Sequence, residues 1–448
     1  MSRKSLLERP RARAVLADAE VPAAAIRGCQ QRLERFLHRY LPLFYRDEQR
    51  ELAQVVIHGK LSKLERKTAE PIAYLADRPR KPVQHFVGAG RWDDDAVLAE
   101  LRRHVAEELA DPDAVLVVGP SGFPKKGTAS CGVDRQWCGR LGKVENCQVG
   151  VFLAYVSADN YALVDRQLYL PRAWAEDRRR RRRTHVPKGV VFQESWRIGL
   201  APIDRSGPAL PFAWVAGDDE FGRAAAFRAG LRRRRRRYVL DVPANTSIRD
   251  LDEAPAAGRR RPPWRRVDEW AQAQPASRWR KLTVGDGAKG PKVVRALEAW
   301  VQSTEEGGRP GARERLVVIR TVDREPQVWY TLSNAPAAVP LERVVGVQSR
   351  RHGVEQALQA SKGEGGLAHY EVRSWVGWHH HMTLSLLALW FLVVERRCHA
   401  LQQACSDAWK AVTSDRRRDA EPNDLYDRLS PIYDPIDFMP FKLFLALC

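Results

Sequence analysis

Apolar positions recur at three- and four-residue steps near the start of the chain. Leu33, Phe36, Leu37, Tyr40 and Leu41 are followed by Leu52, Val55, Val56, Leu61 and Leu64. That period puts one apolar stripe on a helix and predicts a helical region from about 30 to 76, with Gly59 as a helix stop. Trp92-Asp93-Asp94-Asp95 reads as a cap before a helix over 96–109. The period then shortens. The β-branched run Ala114 to Val118 predicts a first strand, with a turn at Gly119-Pro120-Ser121-Gly122. Further strands are expected at Val149–Val156, Tyr161–Leu170, Phe212–Ala216 and Tyr238–Val242, with a helix at Arg223–Leu231. Three adjacent strands followed by alternating helices and strands imply a mixed sheet covered by helices.

Beyond Pro243 the chain turns rich in Pro, Gly, Arg and Trp, and Arg315–Arg320 with Val328–Leu332 reads as a hairpin. This stretch is expected to be an insertion ahead of the final helices. A helical pattern around Val354, Leu358 and Lys362 follows, then an apolar run from Leu384 to Val394. That run is shorter than the ~20 residues of a spanning helix, so it predicts a buried helix. The expected division is 1–110 helical, 111–242 and 346–411 sheet domain, 243–345 insertion and 412–448 tail.

Charge changes the picture. Lys and Arg number 75 against 55 Asp and Glu, a formal net charge of +20. Such a surplus favours a polyanionic partner, nucleic acid or an acidic membrane surface. Two runs of six arginines, Arg178–Arg183 and Arg232–Arg237, belong on a solvated surface or against phosphate. Met1–Glu8 carries no apolar stretch, so no secretory signal is expected there. Seven cysteines, an odd and scattered set, do not suggest a disulfide framework. A cytoplasmic, nucleoid-associated protein without a membrane partner is the expectation.

Three segments carry candidate chemistry. Gly119 to Gly127, with Lys125 and Lys126, could cradle phosphate, although it lacks Walker spacing. Gly217-Asp218-Asp219-Glu220-Phe221-Gly222 sets three acids at a strand end, as hard-cation ligands or as a helix cap. Arg351, Glu355 and Lys362 fall on one helix face, where ion pairing is the plainer reading.

These segments, with Arg135-Gln136-Trp137-Cys138-Gly139, Gly142 to Gln148 and His369 to Trp375, together resemble the DDE-type bacterial insertion-sequence transposases over residues 30–400. The resemblance implies a ribonuclease H-like fold: a mixed five-stranded sheet flanked by helices, with an N-terminal helical region for DNA-end recognition and a β-containing insertion. It implies an active site of two Asp and one Glu holding two magnesium or manganese ions. The second Asp corresponds to Asp218 and the Glu to Glu355. A Tyr-x2-Arg-x3-Glu-x6-Lys pattern is met by Arg351, Glu355 and Lys362, with Gln348 at the Tyr position.

The first Asp position is Gly119, which offers no ligand. Asp165 on the third strand is the one acid expected to be able to substitute. Lys125, Lys126, Arg351 and Lys362 are the expected phosphate contacts. Trp264, Trp270 and Trp279 are either core residues or base-stacking platforms. Implied partners are double-stranded DNA with terminal inverted repeats, and a second copy in a synaptic complex. Two functions stay open: a transposase impaired at Gly119, and a non-catalytic DNA-binding protein of transposase descent.

Overall fold

The structure is a computed structural model that describes residues 28–415 except 159, 256–259, 288–289 and 306–307. The readings of Met1–Glu8 and of the tail past residue 415 lie outside the described residues. The chain forms two compact units. Of the described residues, one comprises 28–97, 360–371 and 380–415; the other comprises Leu98–Gln359 and Val372–His379.

The first unit is helical: α1 (Cys29–His38), α2 (Asp47–Leu61), α3 (Ala69–Leu75), α4 (Arg80–Gly88) and the start of α5 (Asp94–Leu109). The apolar stripe read from sequence is buried at Leu33, Phe36, Leu37, Tyr40, Val56 and Leu61. Gly59 does not stop its helix, which runs to Leu61. Its role is close packing: a Cβ there would lie 2.5 Å from Ile72 of α3. The apolar run 384–393 lies in the helix Trp375–Asp415 and is buried all round, as a helix without a polar face must be.

The second unit holds a sheet. Its strands are β1 (Val115–Pro124), β2 (Asp134–Cys138), β3 (Lys143–Val156), β4 (Tyr161–Leu168), β5 (Trp214–Gly217), β6 (Arg237–Val242), β7 (Ser247–Asp250), β8 (Arg265–Arg266), β9 (Arg280–Gly287), β10 (Gly290–Thr304), β11 (Pro310–Thr321) and β12 (Val328–Ser333). Among the described residues the order is β2-β3-β1-β5-β6-β12-β11-β10-β7-β8, with β4 on β3 and β9 on β10. One half, β4-β3-β1-β5-β6, is the expected ribonuclease H-like mixed sheet. β1, β3 and β4 are antiparallel, while β1, β5 and β6 run parallel. The helices between are α6 (Arg172–Glu176), α7 (Arg178–Arg183), α8 (Ser195–Ser206), α9 (Asp219–Gly222), α10 (Ala225–Arg233) and α11 (Val267–Gln272). Then come α12 (Leu341–Arg350), α13 (His352–Gly363) and α14 (Trp375–Asp415). The insertion hairpin β11–β12 joins the sheet through β12 on β6.

The turn expected at Gly119–Gly122 is strand instead. β1 pairs with β3 as far as Pro124↔Cys147. The breaker residues misled for identifiable reasons. Pairing with β5 ends at Val118↔Gly217, so Pro120 lies past it, on an edge where a missing N–H is tolerated. Gly122 is needed for a close approach, since a Cβ there would sit 2.7 Å from Cys138 Sγ.

Candidate active site

Register brings the candidate residues together. In the parallel trio, Val118, Gly217 and Leu240 are neighbours. One residue further along each strand stand Gly119, Asp218 and Asp241. A Cβ on Gly217 would meet Val118 Cγ1 at 3.0 Å and Leu240 Cδ2 at 3.2 Å, so this row looks to one face. It is the face of α8, because a Cβ on Gly199 would lie 3.3 Å from Val118 Cγ2. Strand alternation turns the next row to the opposite face. Asp218 keeps extended backbone (φ −77°, ψ −175°), so the alternation carries through it. On that opposite face α13 packs, and a Cβ on Gly119 would lie 3.1 Å from Val354 Cγ1. Val354 precedes Glu355. The site thus lies at the carboxyl ends of parallel strands, where open α/β sheets place their ligands.

The Gly-Asp-Asp-Glu-Phe-Gly segment is shaped by this packing. Asp218 caps α9, its Oδ1 accepting from the Glu220 amide at 3.1 Å. Gly222 allows α9 to lie against β6, since a Cβ there would come within 1.9 Å of the Asp241 carbonyl oxygen. The cap reading of Asp218 holds, and the residue stands at the end of its strand beside position 119. Burial, then the charges of Glu220 and Asp219, push the Asp218 carboxyl up to about 7 against the opposing pull of Arg351. Glu220 is also raised, chiefly by burial.

Arg351, at the junction of α12 and α13, is the hub. Its guanidinium pairs with Asp241 Oδ2 at 2.9 Å and with Glu355 Oε1 at 2.8 Å. Thr331 Oγ1 donates to Asp241 at 3.0 Å, and Gln348 Nε2 reaches both its oxygens at 3.4 Å. Burial raises the Asp241 carboxyl, with Arg351 opposing. Glu355 is lowered, first by its hydrogen bond with His352 and then, against some burial, by Arg351. Asp241 escaped sequence reading because it ends a strand without any motif around it. The available signal was the register itself: Tyr238–Val242 is a parallel neighbour of the Asp218 strand.

Asp165 does not belong to this site. Through Leu153 it is in register with Val118, so it faces α8, away from Gly119. There it is fully buried against Arg205, at 2.8 and 3.0 Å, and Arg102 at 3.3 Å. Two arginines neutralise it, so it is no substitute for an acid at position 119.

The remaining candidates disperse. Lys125 is half-buried and Lys126 exposed, just past β1. They are six and seven residues beyond Gly119, roughly 20 Å along an extended strand. Residues 119–124 are extended and paired with β3, so they form strand rather than the Gly-rich loop read there. Lys362 lies near the end of α13, seven positions past Glu355, and falls in the other unit. Trp270 is buried, donating to Asp250 at 3.0 Å, while Arg249 covers Trp264 and Arg320 covers Trp279. The second arginine run is largely absorbed by the fold. Arg232 pairs with buried Glu314, Arg234 with Asp204, and Arg236 and Arg237 lie over Phe212 and Trp214. In the first run Arg181 binds loop carbonyls, including Val190 at 2.7 Å, whereas Arg178, Arg179, Arg182 and Arg183 are exposed.

The acids present do not fit a two-cation centre. Position 119 has no side chain to offer, and Asp241 and Glu355 are bound to a guanidinium. Among the described residues no group of three His, Cys, Asp or Glu side chains is arranged to hold a metal ion.

A mixed sheet of this order, with acids gathered at the carboxyl ends of its parallel strands, defines a ribonuclease H-like protein. The chain belongs to the DDE superfamily endonucleases, whose family model matches residues 39–291. Glu355 lies beyond the matched stretch. A similar solved structure is a piggyBac transposase synaptic complex with hairpin DNA, 10% identical, covering 92% of this chain and 76% of that one, with a TM-score of 0.38. No curated protein matches the chain.

Proposed function

We propose that this chain is a transposase-type protein that binds duplex DNA, at the ends of an insertion sequence, and cleaves it poorly or not at all. The observation that carries the reading is the row Gly119, Asp218, Asp241. The family's endonuclease chemistry needs carboxylates at this sheet edge, and the first strand delivers a glycine there. Arg351 meanwhile binds two of the acids that remain. In an intact site of this kind two cations would activate the attacking oxygen and stabilise the leaving one. Asp218 and Glu355 stand at the family's remaining acid positions, and Arg351 pairs with Glu355. Phosphate contact falls to exposed cations, among them Lys126 and the outer arginines of α7, supported by the +20 net charge. The N-terminal region 1–110 is assigned to end recognition, and a second copy completes a synaptic assembly.

The test is binding to duplexes carrying the element's terminal repeats, across a salt series and with magnesium or manganese. Tight, strongly salt-dependent binding without nicking is expected. Binding that ignores salt would defeat the DNA assignment, because phosphate neutralisation must release counterions.

A further inference from the structure

A second basic feature lies on the insertion. β9, β10 and β11 are neighbours, and Lys281, Arg295 and Arg320 are direct partners across them: Arg295 pairs with Lys281 on one side and Arg320 on the other. Partners in antiparallel strands point to the same face, so three cations stand in one row about 10 Å long. Like charges directly opposite destabilise a sheet. Natural sheets relieve such rows with an acid, and among the described residues no ion pair joins any of the three to one. Lys281 and Arg295 are exposed and Arg320 is half-buried. The Arg320 guanidinium lies 4.0 Å over the ring of Trp279, which itself packs on the apolar cluster around Trp270, Leu297 and Val318. Stacking fixes the orientation of a weakly hydrated cation and leaves its N–H edge for an acceptor.

We infer that this row, Lys281-Arg295-Arg320, is a docking strip for the phosphate backbone of duplex DNA. The inference rests on the DNA-binding reading above and names a surface of the insertion for it. Repulsion within the row is relieved when phosphates lie along it. A flat strip of cations with one stacked guanidinium contacts backbone rather than base edges, so it contributes affinity without sequence preference.

The test uses the full chain with Lys281→Gln, Arg295→Gln and Arg320→Gln combined, and Lys281→Gln alone as a mild variant at an exposed position. Duplex binding is followed from low to high salt, and thermal unfolding is followed without DNA. The triple variant is expected to lower the slope of log K against log salt by about 2.7, the single one by about 0.9. Affinity near physiological salt should fall on the order of a hundredfold for the triple variant. Unfolding should move to the same or a higher temperature, since the change removes repulsion. Unchanged slopes in a chain that otherwise binds DNA would overturn the strip alone. Absence of salt-dependent binding by the unmodified chain would overturn the strip and the proposed function together. A lower unfolding temperature with an unchanged slope would make the row a structural feature.

Discussion

Asp218→Asn should make the protein more stable, and by an amount that depends on pH. The fold buries this carboxyl beside two other acids and raises it from 3.8 to about 7. Below about pH 4 both folded and unfolded chains hold the proton, and no cost arises. Between there and pH 7 the unfolded chain releases it while the folded chain does not, so stability falls as pH rises. Above pH 7 the full cost is present, about 4 kcal/mol for a shift of this size. Asparagine keeps the oxygen that accepts from the Glu220 amide, so the helix cap survives while the charge goes. Denaturant titrations in metal-free buffer at pH 4, 6 and 8 would measure it. The unfolding free energy of Asp218→Asn should exceed that of the parent most at pH 8, by up to about 4 kcal/mol, and almost coincide with it at pH 4. A loss of stability at pH 8, or one gain at every pH, would refute the reasoning.

Asp165→Asn should behave oppositely, destabilising by about 3–5 kcal/mol because it strips a buried counter-charge from Arg102 and Arg205; a loss below about 1 kcal/mol in the same titration would count against that role. Lys60 is buried, donates to Ser385 at 2.7 Å, and is lowered to about 7 by burial and then by Lys67. A lysine depressed in this way costs stability most below pH 7 and least above its unfolded value of 10.5. Lys60→Met should therefore raise the urea midpoint at pH 6 and lose that advantage by pH 10. Neutralising Arg232, Arg234, Arg236 and Arg237 should leave the DNA salt slope unchanged and lower stability, since those side chains pair within the fold; a flattened slope would return the run to the DNA.

Much of the fold was legible because the sheet strands are short β-branched runs separated by helices of clear period. Val149–Val156 and Tyr238–Val242 fall within strands, and the hairpin at Arg315–Leu332 formed as read. Local signals failed where tertiary pairing overrode them. Gly119 to Gly122 reads as a turn, yet a fourteen-residue partner strand holds it extended. Gly59 reads as a stop, yet it is a contact with Ile72. The site was half legible. Asp218 and Glu355 carried motifs and face the same side of the sheet as position 119, while Asp241 and the hub role of Arg351 depend on strand order. Asp165 illustrates the limit: adjacency of strands said it could approach, and only the pleat says that it faces the wrong way.

The proposed function requires a carboxylate at position 119 for cleavage. A supercoiled substrate carrying the element's ends, with magnesium or manganese, tests it directly by nicking. A Cβ at 119 would press Val354 at 3.1 Å, so Gly119→Asp should be made both alone and with Val354→Ala, which opens that space. The unmodified chain and Val354→Ala alone should leave the substrate intact. Metal-dependent nicking should appear with Gly119→Asp, more strongly in the double variant, and vanish again on adding Asp218→Asn. Robust metal-dependent nicking by the unmodified chain would contradict the account.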